Sequence, residues 1–274
     1  MKVKELPFSI LKSLQLLSRS AARIKFGMTE KLPVIVSLTT IPSRLHKVDI
    51  TIRSLLVQTQ SPEKIVLWLP ETLKNDIPDK LEELTGGIFE IRYSPLTCSH
   101  KKLIHTLKEY PDVPIITCDD DFIYHKDWVK LLFREHTLYP KAIIANKVRK
   151  ITYDENQNLI PYKEWIYDPK RNVGIKGIMP IGADGVLYPP KALHPTVQDR
   201  SLFLDLAPKA DDLWFKAMSL LNNTESRLAE NRPPEPIPVV GTQKVSLKKE
   251  NIDKGKNLSQ WQALQEYFKL EISD

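Results

Sequence analysis

Three adjacent carboxylates, Asp119-Asp120-Asp121, follow the apolar run Pro114-Ile115-Ile116-Thr117-Cys118. Like charges this close repel, and folding alone would not select them at the end of a buried strand. A divalent cation removes the repulsion. Carboxylate oxygens suit hard ions such as Mg2+ or Mn2+, which keep open positions for phosphate oxygens when only one or two protein carboxylates bind them. Successive strand residues point to opposite sides, so Asp119 and Asp121 can share a face. The competing reading is an acidic turn, or a cap for the helix near Lys126.

Three further segments carry chemistry-bearing side chains. Lys101-Lys102 opens a helical stretch. Lysine at a helix N-terminus opposes the macrodipole, so an anion such as a diphosphate would satisfy both ammonium groups and the free N–H groups; a solvated basic turn is the alternative. Thr39-Thr40-Ile41-Pro42-Ser43-Arg44 places hydroxyls and a guanidinium after a strand. These can hold a ribose, a base edge or a phosphate, or simply start a helix with Ser43 as its cap. Ala210-Asp211-Asp212 starts another helix. Capping explains one Asp; the second suits a general base for an acceptor hydroxyl. The histidines show no zinc spacing and Cys98 and Cys118 form no CxxC, which disfavours zinc and cysteine-nucleophile chemistry.

The elements that must position these groups alternate. Strand-type runs at Pro33–Leu38, Lys64–Leu69, Phe89–Tyr93, Pro114–Cys118 and Ala142–Asn146 are separated by helical spacing. One such stretch holds Val48, Ile52, Leu55 and Leu56; the others are Pro78–Leu84, a helix from a Ser99 cap to Tyr110, and Lys126–Thr137. The expectation is an α/β fold with a central, mainly parallel sheet flanked by helices, binding ligands beyond the C-terminal strand ends. After residue 147 the pattern becomes irregular. It includes polar hairpin-like text over Val148–Tyr167, and Gly174, Gly177, Gly182 and Gly185 before the strand Gly185–Tyr188. Helices at Asp211–Leu221 and Gln260–Leu270 then flank a Pro-rich loop at Asn231–Pro238.

The chain has 274 residues with 42% hydrophobic and 27% charged, which excludes wholesale disorder, collagen-like and coiled-coil classes. A net charge of +6 hints at an anionic partner. Nine glycines, with neither GxGxxG nor GxxxxGK[ST], disfavour a glycine-rich phosphate cradle. Two cysteines make a reducing compartment the default. In residues 1–30, Phe8, Leu11, Leu14, Leu17 and Ala21 recur at helical spacing among Lys2, Lys4, Lys12, Arg19, Arg23 and Lys25. Lys12 interrupts any signal-peptide core. The pattern suits a helix lying on an anionic membrane, or one docked on its own domain.

In order, strand-TTIPSR, KK, CDDD, GADGVLYPP and ADDLWF resemble bacterial nucleotide-sugar glycosyltransferases of the GT-A fold, close in style to family 2, over residues 33–222. The resemblance implies a Rossmann-like sheet with an irregular acceptor-side part. With it, the chain is expected to divide into the basic amphipathic segment (1–30), a nucleotide-sugar-binding half (31–147) and an acceptor-side half with a C-terminal helix (148–274), the last two forming one domain. Asp119 and Asp121 would hold Mn2+ or Mg2+, with Asp121 as principal ligand. Thr39, Thr40, Arg44, Lys101, Lys102 and Asp120 would hold the donor, with a UDP-linked hexose leading. Gly182, Asp184 and Trp214 would border the donor sugar and acceptor, and Asp212 would be the base, with Asp211 as the alternative because the pair is Asp-Asp and not Glu-Asp. The resemblance implies inversion, a glycan or lipid-linked acceptor in surface-polysaccharide synthesis and a cytoplasmic site peripheral to the inner membrane face. The absence of QxxRW implies addition of one sugar, not a polymer. No nucleic-acid partner is expected. A sugar nucleotidyltransferase and a basic, non-catalytic binding module are the alternatives.

Overall fold

The computed structural model describes residues 5–25, 30–169, 175–242 and 255–272; Lys2, Lys4 and Gly174 lie outside them. Two N-terminal helices, α1 (Leu6–Leu17) and α2 (Ala21–Lys25), precede a regular series. It runs β1 (Glu30–Thr39), α3 (Val48–Leu56), β2 (Gln60–Pro70), α4 (Asp79–Glu82), β3 (Phe89–Ser94), α5 (Lys101–Glu109), β4 (Ile115–Thr117), β5 (Phe122–Ile123), α6 (Trp128–Leu138) and β6 (Ile143–Ala145). Then come β7 (Val148–Lys150), β8 (Ile166–Tyr167), β9 (Ile178–Pro180), β10 (Val186–Tyr188), α7 (Arg200–Leu206), α8 (Asp211–Leu221), β11 (Ser226–Leu228), β12 (Ile237–Pro238) and α9 (Lys256–Phe268).

The fold is α/β. Seven strands form the central sheet in the order β11-β6-β10-β4-β1-β2-β3, parallel except for β10, which runs antiparallel to β4 and β6. The strands are short runs of β-branched and leucine residues because both faces are covered. Alternation then assigns each side chain to a layer. Val36, Ile116, Ile144 and Leu187 join the core under α3 and α6, whereas Ile115, Ile143, Val186 and Tyr188 join the core under α5, α7, α8 and α9.

The part of the chain after residue 147 is not a separate layer. Its strands β10 and β11 enter the central sheet, while β8-β7-β9 form a small antiparallel sheet. Entry into β10 depends on Gly185, whose φ is +106° and where a Cβ would overlap the Trp128 ring. Both reasons demand glycine. Among the described residues, no helix is long and apolar enough to cross a membrane.

Candidate active site

The central strands deliver the acidic triplet and the Thr39–Arg44 segment side by side, because β1 and β4 are parallel neighbours. Thr40 Oγ1 donates to Asp120 Oδ2. Arg44 reaches Asp120 Oδ1 at 2.6 Å through Nη1 and Asp121 Oδ2 at 3.1 Å through Nη2. Thr51 Oγ1 donates to the Asp120 carbonyl at 2.9 Å. Asp120 and Asp121 are thus buried and share one guanidinium, which offsets one of their two charges. The triplet caps no helix: α6 is preceded by Asp127.

Asp119 turns to a different cation. Its carboxylate is 3.1 Å from Lys102 Nζ and is 37% exposed, against 5% and 6% for Asp120 and Asp121. Lys102 is held in place by β1, where Ser37 Oγ donates to the Lys102 carbonyl and shares a 2.7 Å hydrogen bond with Thr106 Oγ1. The same ammonium lies 3.0 Å from Asp211 Oδ2 at the start of α8. Asp211 also accepts from Ser99 Oγ at 2.8 Å, so Ser99 bonds across the site and does not cap α5. Asp212 accepts the Gly182 N–H at 3.1 and 3.2 Å. Neither Asp caps α8. Gly182 must be small here: a Cβ would come within 2.9 Å of Asp212 Oδ1 and 3.2 Å of Lys102 Nζ.

Four carboxylates therefore bond directly to two cations, Arg44 and Lys102, and Asp212 stands beside them on the Gly182 N–H. The pair at the start of α8 divides its charge. Burial raises the Asp211 carboxyl, but the Lys102 ammonium together with neighbouring groups, the Ser99 hydrogen bond among them, leaves it below its ordinary value. Burial and the neighbouring Asp211 charge push Asp212 up to about 7. Two adjacent carboxyls set apart in this way suit different tasks, one a fixed anion and one a proton acceptor near neutrality.

Several expected residues stand elsewhere. Thr39 Oγ1 donates to the Trp68 carbonyl on β2 at 2.8 Å. Lys101 is buried one residue round α5 from Lys102, where its Nζ donates to the Leu96 carbonyl at 3.3 Å and burial pulls its pKa down to about 8. Trp214 is fully buried, packed against Phe203 and Phe268, with Nε1 donating to the Val197 carbonyl at 3.2 Å. It is a core residue with no face open to a sugar, which corrects its assignment to the acceptor side. Asp184 lies next to the cluster through Gly182 but pairs with Lys147 at 3.0 Å. It lines a polar cavity of about 440 Å3 with Asn146, Asp168, Arg232 and Glu235.

Tyr124 escaped the sequence reading. Its hydroxyl accepts the Asp119 N–H at 3.0 Å and donates to the Ala183 carbonyl at 2.9 Å, tying the acidic triplet to the glycine segment. Only its place, three residues after Asp121, could have drawn attention to it.

A divalent cation fits this donor set in one manner only. Among the described residues, no three His, Cys, Asp or Glu side chains form a metal cage. Asp119 presents a half-open carboxylate, and the cluster carries surplus negative charge. Such a set suits an ion bound together with substrate phosphates.

No family model matches the chain. No curated protein matches it either. Among solved structures, a 4-diphosphocytidyl-2C-methyl-D-erythritol synthase from Anaerococcus prevotii is similar at 13% identity, with a TM-score of 0.47, over 86% of this chain and 97% of that one. At that distance nothing about reaction or ligand passes from that protein to this chain.

Proposed function

We propose that the chain is a glycosyltransferase that moves one hexose from a nucleoside-diphosphate donor to an acceptor hydroxyl. The observation that carries this reading is the meeting at Lys102 Nζ of Asp119, from the end of β4, with Asp211, from the start of α8 beside Asp212. Donor-side and acceptor-side groups thereby share one ammonium.

In this reading Asp119 would hold Mn2+ or Mg2+ together with the donor diphosphate. Asp121, paired with Arg44, would join it only by exchanging that partner. The ion, when bound, would draw charge from the leaving diphosphate. Thr40, Arg44 and Asp120 shape the donor side. Lys102 sits where negative charge develops and stabilises it. Asp212 takes the proton of the acceptor hydroxyl. The acceptor oxygen then bonds to the anomeric carbon as the bond to the diphosphate oxygen breaks on the opposite face, which inverts the configuration. Asp211 keeps Lys102 charged and aimed. A UDP-hexose is the leading donor, and a glycan or lipid-linked oligosaccharide of a surface polysaccharide the leading acceptor, at the inner face of the cytoplasmic membrane.

The test is a panel of nucleotide sugars with Mn2+ and with EDTA. Metal-dependent release of a nucleoside diphosphate from one donor is expected. Release of pyrophosphate from a nucleoside triphosphate and a sugar phosphate would instead identify a nucleotidyltransferase. Absence of nucleotide binding in calorimetry would leave a binding module.

A further inference from the structure

Helix α1 is docked with its amphipathicity reversed. Its small polar residues face the protein: Ser9 and Ser13 are buried, and Ser9 Oγ donates to the Pro238 carbonyl at 2.6 Å. Leu16 packs with Ile50, Ile123 and Val239. Its large residues face outward, with Phe8 60%, Leu11 62% and Leu14 60% exposed, and Ile10 and Leu17 beside them. Among the described residues ten large hydrophobic side chains are exposed, and half of them belong to this one helix. A helix on a globular surface ordinarily buries that stripe. The reversal is built in, because Arg53 on α3 is buried and donates to the carbonyl of Arg19 at 2.9 Å, just past the helix end. So concentrated an apolar face marks an interaction surface.

Charge identifies what covers it. Residues 6–25 contain Lys12, Arg19, Arg23 and Lys25 and no Asp or Glu. Lys12 and Arg19 also border an open cavity of about 430 Å3 between α1 and the body, together with His125, Lys126 and a single acid, Glu235. A second copy packed on this face by two-fold symmetry would bring two cationic rims together, which is repulsive. An anionic phospholipid surface accepts both the apolar residues and the cations.

We propose that α1 docks the protein on an anionic phospholipid membrane, with Phe8, Leu11 and Leu14 in the acyl boundary and Lys12, Arg19 and Arg23 among the headgroup phosphates. The docking site and the candidate active site share a frame. Helix α1 packs on β5 and β12, and Val239 N, next to β12, donates to the Asp121 carbonyl at 2.8 Å. A membrane-held helix thus keeps the acidic triplet near the lipid surface. The inference stands independently of the proposed reaction.

The experiment is co-sedimentation of the full chain with vesicles of phosphatidylcholine and phosphatidylglycerol in a three-to-one ratio, and with phosphatidylcholine alone. Binding to the anionic vesicles only, weakened by salt, is expected. Combined Phe8→Glu, Leu11→Glu and Leu14→Glu substitutions should lower partition by roughly tenfold or more with unchanged circular dichroism. A gentler variant, Leu11→Trp, should show added fluorescence quenching by brominated anionic lipids. Equal binding of wild type and triple variant, or no binding by the wild type, overturns the proposal. A dimer in light scattering that the same substitutions dissociate would assign the face to a second copy. Nucleotide binding by the triple variant keeps this outcome separate from that of the reaction.

Discussion

The acidic triplet after β4 and the acidic pair opening α8 solve the same problem differently. At the strand end, Asp120 and Asp121 are buried against Arg44, brought by the neighbouring strand, and only Asp119 is left half-open. At the helix start, Asp211 takes the Lys102 charge while Asp212 has only the Gly182 N–H and stays easily protonated. The first region is a framework with one carboxylate to spare. The second separates a fixed anion from a titrating one. Adjacent carboxylates in sequence are therefore not equivalent groups in space: each pairs with whatever cation the topology delivers.

The sharpest way to break this comparison is Asp212→Asn. Transfer should fall about a thousandfold, as for loss of a general base, while donor affinity stays within about threefold. The same substitution should stabilise the fold. Asp212 is raised above its unfolded value, so its contribution is fully present below about pH 4 and is lost as pH rises through about 7. Removing it should add up to about 4 kcal/mol above pH 8 in urea titrations, with little change at pH 4. Equal transfer by the variant would place the base elsewhere.

Arg44→Ala tests the framework side. It strands Asp120 and Asp121 in the interior and should cost about 3 kcal/mol or more of unfolding free energy. A loss below about 1 kcal/mol would mean that water already screens the pair. Tyr124→Phe removes the bridge between Asp119 and Ala183 and should cost about 1–2 kcal/mol, with a modest fall in turnover. The smallest effect belongs to Lys101→Met. Its ammonium faces Leu96 and not the cluster, so transfer should stay within about twofold and stability should hold or rise. A large loss of donor affinity would restore Lys101 to the site.

Much of the frame was legible because burial on both faces leaves continuous apolar runs, as in Val34–Leu38 and Ile65–Leu69. The direction of β10 was not, since pairing partners are set by the whole topology. The site motifs stood out by charge and order. Which of two adjacent residues mattered did not: Lys101 and Lys102 differ only by helix phase, about 100° on α5, which sends one ammonium to the Leu96 carbonyl and the other to Asp119 and Asp211. Ser99 read as a cap because caps are local, whereas its bond to Asp211 spans 112 residues. Trp214 read as a sugar contact through its place two residues after Asp212, but on the buried helix α8 that position turns into the core, and there it packs.

The most direct test of the central claim is calorimetry of a nucleoside diphosphate with Mn2+ on the wild type, Asp119→Asn and Asp212→Asn, paired with a transfer assay. Asp119→Asn should lose metal-dependent binding, while Asp212→Asn should bind like the wild type and fail only in transfer. If both variants bind alike and both transfer, the cluster around Lys102 is not the site of the reaction.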